Sequence, residues 1–336
     1  MKKVFLLSMI LFSTLCFSQV EVYVLDVGAG LCTVTKLPNG EIIVYDCGSS
    51  EGKKGKEGKK IIKERLPELI DLGSQIDLLI LSHTDADHIN STDFLFDNYN
   101  IKKVLWTSYS KEDYTEYKDD DSETYKAFVA DLEKENCDVV DLFEQDSIIP
   151  PGLEEQHDDV TIRYFSGFNV PQESWHIHGN DWKPQGYALN AVSITMQLEY
   201  KGKRIFYGGD AIGWLADTLT ATDKYILENI PDYDLLQSEI MIVPHHGSWN
   251  GSSNDLIKAI DPEFAIFSAG TKHNHPNEST IERFVKNNSS IKLIGTNKDD
   301  MYEHYNKNNN DKIGDDEIHI TISEYSELKC EYLNIQ

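Results

Sequence analysis

Residues 81–90 read LSHTDADHIN and follow directly on the apolar run IDLLI, residues 76–80. A short apolar run bounded by polar residues reads as a buried strand, so four potential metal ligands, His83, Asp85, Asp87 and His88, fall within six residues at its C-terminal end. Alternation along an extended segment sets His83, Asp85 and Asp87 on one side, with His88 opening the following helix. Imidazole and carboxylate together suit borderline divalent cations such as zinc or manganese. The plainer alternative is that these groups cap the next helix and pair with one another, but a chance cluster of this density at a strand end is rare.

Other strands repeat the device. RIFYGGD (residues 204–210) is an apolar strand ending in Asp210, EIMIVPHHGS (239–248) leads into His245 and His246, and FAIFSAG (264–270) ends on small residues. Strands that deliver Asp or His at their C-terminal ends point to a shared edge where a site assembles. The chain opens with a strand at residues 21–28, EVYVLDVG, followed by LCTVTKL (31–37), a Pro38-Asn39-Gly40 turn and the returning strand EIIVYD (41–46). A second strand, not a helix, follows the glycines at 28 and 30, which argues against a dinucleotide loop. Tyr125, Phe128, Val129 and Leu132 share one helical face and predict a helix over 123–136. Another helix is expected over 61–72, and an acidic loop at 119–121. Residues 167–189 read as a long irregular loop, often a lid in such domains; its His176 and His178 match no motif and read as ordinary loop histidines.

The chain of 336 residues carries 31 basic and 57 acidic residues, a formal charge of −26, with 40% hydrophobic residues. Its length and apolar content fit one large globular domain. Such acidity excludes passive binding of phosphate backbones except through a local basic patch or bound cations. The lysine-rich run EGKKGKEGKK at residues 51–60 stands out against this background. It reads first as a solvated loop and second as a guide for an anionic substrate.

MKK followed by VFLLSMILFSTLCF (residues 4–17) has the proportions of a signal peptide, with cleavage after Ser18. The expected organisation is therefore a leader at 1–18 and a single domain over 19–336, exported to the periplasm or the medium, with no stable membrane insertion. Cys16 raises a lipoprotein alternative, against which the bulky Leu15 counts. Cys32, Cys47, Cys137 and Cys330 do not make a disulfide scaffold in a chain of this length, although Cys32 and Cys47 lie on neighbouring strands and could pair.

The ordered set of His83-x-Asp85-x-Asp87-His88, Asp210 after two glycines, and VPHHGS (243–248) resembles the metallo-β-lactamase superfamily. LDVGAG (25–30), YDCG (45–48) and SAGTKHNHP (268–276) narrow the likeness to the hydrolase domain of ComEC-type competence proteins and to phosphorylcholine-esterase-like enzymes. The resemblance runs from about Val22 to about Ile322. It implies an α/β fold, an αββα sandwich of two mixed β-sheets flanked by helices, with two divalent metal ions, Zn or Mn. Carried over, the metal ligands are His83, Asp85, Asp87, His88, Asp210 and His246. Asp87, His88, Asp210 and His246 would make one complete site; His83, Asp85 and the bridging Asp210 would make a poorer one.

The resemblance also implies catalytic roles for Asp85, Asp87, His245 and His275. His246 is favoured as ligand, His245 as a substrate contact, and His275 as a phosphate-facing or leaving-group residue. Asp85 stands where the superfamily's common form has His, and Asn190 falls where another His is usual. Ala29 and Leu31 are apolar where ComEC-like chains carry Gln and Asp. Asp85 and Asn190 count against β-lactam or lactone hydrolysis, Asp85 favours manganese-like or mixed metals, and the apolar Ala29 and Leu31 imply a loss of some substrate-side polarity. The implied activity is metal-dependent hydrolysis of phosphodiesters, in nucleic acid or phosphocholine-type esters, by a hydroxide bridging the cations, with Asp85 able to accept the proton. The alternatives are β-lactam or lactone hydrolysis, or a degenerate metal-binding module without catalysis.

Overall fold

The computed structural model describes residues 19–110, 113, 123–175, 185–215, 218–270, 273–297, 314 and 316–333. The expected leader, the acidic loop at 119–121, and His176 and His178 lie outside the described residues.

Two sheets lie face to face. The first contains β1 (Gln19–Val24), β2 (Cys32–Lys36), β3 (Ile42–Cys47), β4 (Leu78–Ile80), β5 (Lys103–Trp106) and β6 (Asp138–Asp141). The second contains β7 (Leu153–His157), β8 (Val160–Ser166), β9 (Thr195–Tyr200), β10 (Lys203–Tyr207), β11 (Ile240–Ile242), β12 (Phe264–Phe267) and β13 (Lys292–Gly295). The chain then returns to the first sheet with β14 (Ile318–Ser323) and β15 (Leu328–Tyr332). Strand order is β15-β14-β1-β2-β3-β4-β5-β6 in the first sheet and β13-β12-β11-β10-β9-β8-β7 in the second. Hairpins β1/β2/β3 and β8/β9/β10 are antiparallel, whereas β3/β4/β5 and β10/β11/β12 run parallel.

Period-2 alternation of apolar residues builds both faces of each sheet. Ile43 and Tyr45 point between the sheets with Ile80, Ile205, Tyr207, Ile240 and Ile242. Val44 points outward onto Ile62 and Leu66 of α1 (Lys56–Leu69), Leu95 of α3 (Thr92–Asn98) and Phe128 of α4 (Glu123–Leu132). Across the molecule Phe206 and Met241 meet Ile226, Leu256 and Phe284 from α6 (Ala221–Asn229), α7 (Asn254–Ile260) and α8 (Glu278–Asn287). The layering is αββα. Between them lie the one-turn α2 (Ala86–Ile89) and α5 (Gln185–Ala191).

Local boundaries differ from the sequence reading in instructive ways. The lysine run is not a loop: residues 53–55 form a 3-10 turn and α1 begins at Lys56. Gly58, which reads as a breaker, lets the helix sit against the Ser49 side chain and the Val27 carbonyl, where a Cβ would clash. The end of the long 167–189 loop is helical, as α5. Cys32 and Cys47 face each other across β2 and β3 as buried free thiols. No helix among the described residues is long and apolar enough to cross a membrane.

Candidate metal centre

Because β3, β4, β10, β11 and β12 share a direction within each sheet, their C-terminal ends open on one edge of the sandwich. From β4 come His83, Asp85, Asp87 and His88; from β10, Asp210; from β11, His245 and His246. The floor is dry: His83 is 1% exposed, His88 0%, Asp210 4% and His246 5%. The side chains of Asp85 and Asp87 are 24% and 22% exposed and His245 18%, forming the rim.

Asp210 is the centre of the arrangement. Its Oδ1 lies 3.2 Å from His88 Nε2 and 3.5 Å from His246 Nε2, while its Oδ2 lies 3.9 Å from His83 Nε2 and 3.8 Å from His245 Nε2. Asp87 Oδ2 is 4.0 Å from His246 Nε2, and Asp85 Oδ2 is 3.6 Å from His83 Nε2. Ligands on one cation with bonds near 2.1 Å stand about 3.4 Å apart in a tetrahedron, so these separations suit metal chelation. Two groups, His83/His88/Asp210 and Asp87/His88/His246, each bring their donor atoms within 4.8 Å of one another.

The outer contacts fix which nitrogens face inward. His88 Nδ1 donates to Asp46 Oδ2 at 2.8 Å, His246 Nδ1 to the Ser268 carbonyl at 2.8 Å, and His83 Nδ1 meets Ser82 Oγ at 3.0 Å. Each imidazole is thereby held by one nitrogen and presents Nε2 to Asp210, the arrangement by which metal-ligating histidines are oriented. Asp46 itself accepts from Ser82 N at 2.7 Å and Ser82 Oγ at 2.8 Å. It is the extra residue of a β-bulge, with Cys32 opposite Cys47 and Thr33 opposite Tyr45, and its φ of 57° turns the carboxylate toward β4. Asp210 N donates to Ser193 Oγ at 3.2 Å.

The charges at the centre depend on one another. Burial alone would raise the Asp210 carboxyl, yet the imidazoles of His88, His246 and His245 hold it well below the usual carboxylate range. Burial alone would lower His88, yet Asp210 and Asp46 hold it well above its ordinary value. Asp210 Oδ1 is buried without a hydrogen-bond partner among the described residues. A carboxylate buried this deeply needs positive charge beside it, which a protonated imidazole or a bound cation supplies, and the donor set fits a divalent cation.

His245 and His246 occupy consecutive left-handed conformations, with φ of 54° at each. For non-glycine residues such strain persists where function fixes it. Here it directs both rings toward Asp210, with His245 N donating to the Gly209 carbonyl at 2.9 Å. His245 Nε2 lies 3.2 Å from Asn190 Nδ2, so the residue at the departed His position touches the rim histidine instead. His275 stands 6.0 Å from His245, ring to ring. Burial, reinforced by His246 and His245, pushes His275 down to about 3, and burial likewise lowers His245 despite Asp210.

The structure thus brings His83, Asp87, His88, Asp210 and His246 together, sets Asp85 and His245 at the rim, and places His275 behind His245. Sequence reasoning missed Asp46, Ser82, Ser193 and Ser268 as supports. The only available signal was the Asp-Cys-Gly that ends β3, and nothing in it announces a bulge.

Comparison with known proteins gives the following. The family model of the metallo-beta-lactamase superfamily matches residues 25–181. "ComE operon protein 3" of Bacillus subtilis (strain 168) is 22% identical over 307 residues, 87% of this chain and 34% of that protein. "Recombination protein 2" of Haemophilus influenzae is 26% identical over 292 residues, 83% of this chain and 29% of that protein. The chain thus spans about a third of the length of these curated relatives. Among solved structures, the metallo-beta-lactamase fold protein YhfI from Bacillus subtilis is 11% identical, with a TM-score of 0.44 covering 83% of this chain and 96% of that one. The chain has the metallo-β-lactamase fold and resembles the ComEC-type members of a superfamily that generally comprises hydrolases.

Proposed function

We propose that this protein is a metal-dependent phosphodiesterase. The observation that carries the reading is the Asp210 carboxylate, whose two oxygens face different imidazoles, Oδ1 toward His88 and His246 and Oδ2 toward His83 and His245, an arrangement that would suit a carboxylate shared by two cations. Asp87, His88, His246 and Asp210 would hold one cation; His83, Asp85 and Asp210 would hold the other. Bound there, divalent cations such as Zn or Mn supply Lewis-acid polarisation of a phosphoryl oxygen and a water made nucleophilic near neutral pH.

The chain's own residues do the rest. Asp85, at the rim and partly open to solvent, is placed to accept the proton released by the attacking water. His245 and His275, held neutral by burial, meet an incoming phosphate as uncharged N–H donors. The anion then draws their pKa values upward, so a proton becomes available for the leaving oxygen when substrate is present. Asp85 and Asn190, where a β-lactamase-like site would carry His, support a phosphoester over a β-lactam. The name of the Haemophilus relative, a recombination protein, supports a nucleic-acid backbone as one such ester. The apolar leader read at residues 1–18 supports export, hence action in the periplasm or outside the cell.

The test is metal analysis of the purified protein together with parallel assays on bis(p-nitrophenyl) phosphate, a phosphocholine ester, single-stranded DNA and nitrocefin. One to two equivalents of Zn or Mn and cleavage of the phosphodiesters are expected. Apoprotein that stays inert after Mn and Zn are restored, or one that turns over only nitrocefin, would overturn the reading.

A further inference from the structure

The basic run singled out in the sequence belongs to a defined place in the fold. Seven of the 31 basic residues fall within residues 53–65. Lys53, Lys56, Lys60 and Lys63 are exposed, whereas Ile62 and Leu66 on the opposite face of α1 are buried. The spacing of 56, 60 and 63 lines these ammonium groups along one face. Lys60 and Lys63 have acidic neighbours, Glu64 at 3.5 Å and Asp93 at 3.6 Å, and both pairs are solvent-exposed and hence weak. Lys53 and Lys56 have no ion pair among the described residues.

This ridge starts at the metal edge. The Gly48 backbone packs on the backbone of Asp87 and His88, and a Cβ at Gly48 would lie 2.5 Å from the Asp87 carbonyl carbon. Asn90, two residues beyond His88, donates to the Ser49 carbonyl at 2.6 Å, and Gly55 packs against that same carbonyl and the Asn90 amide. Gly55 sits between Lys53 and Lys56, so the first two unpaired ammonium groups flank a residue in contact with the ligand-bearing segment. The N-terminal dipole of the 14-residue α1 adds to their positive field.

In a chain of formal charge −26, a localised cationic ridge ending at a carboxylate-rich metal edge offers a favourable approach for a polyanion. The centre it leads to has floor ligands no more than 5% exposed. They lie recessed behind the rim of Asp85, Asp87 and His245, where the narrow, flexible backbone of a single strand fits better than a duplex of fixed width. Resting on the phosphodiesterase reading, we propose that the ridge from Lys53 to Lys63 is the docking track for single-stranded nucleic acid, which it feeds backbone-first toward Asp87 and His88.

The test uses the full chain in EDTA, so that binding is read without cleavage, with a fluorescent 20-nucleotide oligothymidylate followed by anisotropy between 50 and 200 mM salt. The Lys53→Gln, Lys56→Gln, Lys60→Gln triple variant should bind at least about tenfold more weakly. Its log-affinity against log-salt slope should be shallower by about 2, from about 0.7 per lost phosphate contact. A Lys134→Gln, Lys224→Gln variant, altered at exposed lysines in the turn after α4 and on α6, should bind as wild type. Equal binding by the triple variant, no binding by wild type, or tighter lysine-dependent binding of duplex DNA or of phosphatidylglycerol vesicles would overturn the proposal. Hydrolysis of bis(p-nitrophenyl) phosphate with Mn restored should be unchanged in the triple variant. Its absence in wild type would instead sink the phosphodiesterase reading and leave the binding result to judge the ridge alone.

Discussion

The two sheet edges that meet at the centre hold their ligands by different means. On the first, side chains support side chains: buried Asp46 takes hydrogen bonds from Ser82 N, Ser82 Oγ and His88 Nδ1, and Ser82 Oγ also contacts His83. On the second, the backbone does the holding. His246 leans on the Ser268 carbonyl, His245 and His246 sit in left-handed conformations, and Arg283 clamps the following turn through the carbonyls of Trp249, Gly251 and Ser252. Each edge also buries one aspartate completely. Asp46 is saturated with donors, whereas Asp223, below the second edge, receives the Ser253 N–H at 2.7 Å and leaves Oδ1 without a partner among the described residues. Burial pushes the Asp223 carboxyl up to about 6. The first edge is organised by paired polar groups; the second tolerates strain and a poorly satisfied acid to aim two rings.

Asp210 joins the edges, so its loss should have the largest effect. Asp210→Asn is expected to lower phosphodiesterase activity about 10³-fold or more and to release metal from both groups, read by turnover and by elemental analysis. Retention of two equivalents would break the picture of a shared bridge. Next in size, Asp46→Asn should weaken metal binding by about 10- to 100-fold, measured by chelator competition, because His88 loses the carboxylate that orients it. No change would mean that the first edge does not depend on its side-chain network.

Asp223→Asn probes the other buried acid through stability. A raised carboxyl favours the protonated fold, so that stabilisation is present below the ordinary carboxylate value and is lost as pH rises through about 6. The variant, which mimics the protonated form, should nearly match wild type near pH 4 and exceed it by about 3 kcal/mol at pH 8 in urea denaturation. A gap that narrows with rising pH would show that Arg283, not burial, governs the charge of Asp223. The smallest expected effect belongs to Asp85→His, which should tighten the second cation by about tenfold and shift its preference from Mn toward Zn in titration calorimetry. Unaltered affinity would locate the weakness of that group at Asn190.

How far the sequence reached follows from the range of each interaction. The alternation in β1, β3, β10 and β11 and the one-face spacing of Phe128 and Leu132 are local patterns, and they appear in the fold as two-sided sheets and a buried helix face. The lysine run misled because a low-complexity charged stretch reads as a solvated loop in isolation; only packing against Ser49 and Val27 makes a glycine at 58 an asset to a helix. Asp46 was hidden for a related reason. A one-residue bulge depends on the register of β2 against β3, and no property of Asp46 itself encodes it.

By itself the sequence determined the main strands and the ligand types, because burial periodicity and the crowding of His and Asp at strand ends are written within a few residues of one another; the αββα architecture came only through the resemblance that those motifs carry. Tertiary structure alone decided which oxygen of Asp210 faces which imidazole, that Asn190 turns to His245, and that the lysine ridge begins beside Asp87 and His88. Those are contacts between segments far apart in the chain, and their geometry is set only when two sheets pack and their parallel strands end on a common edge.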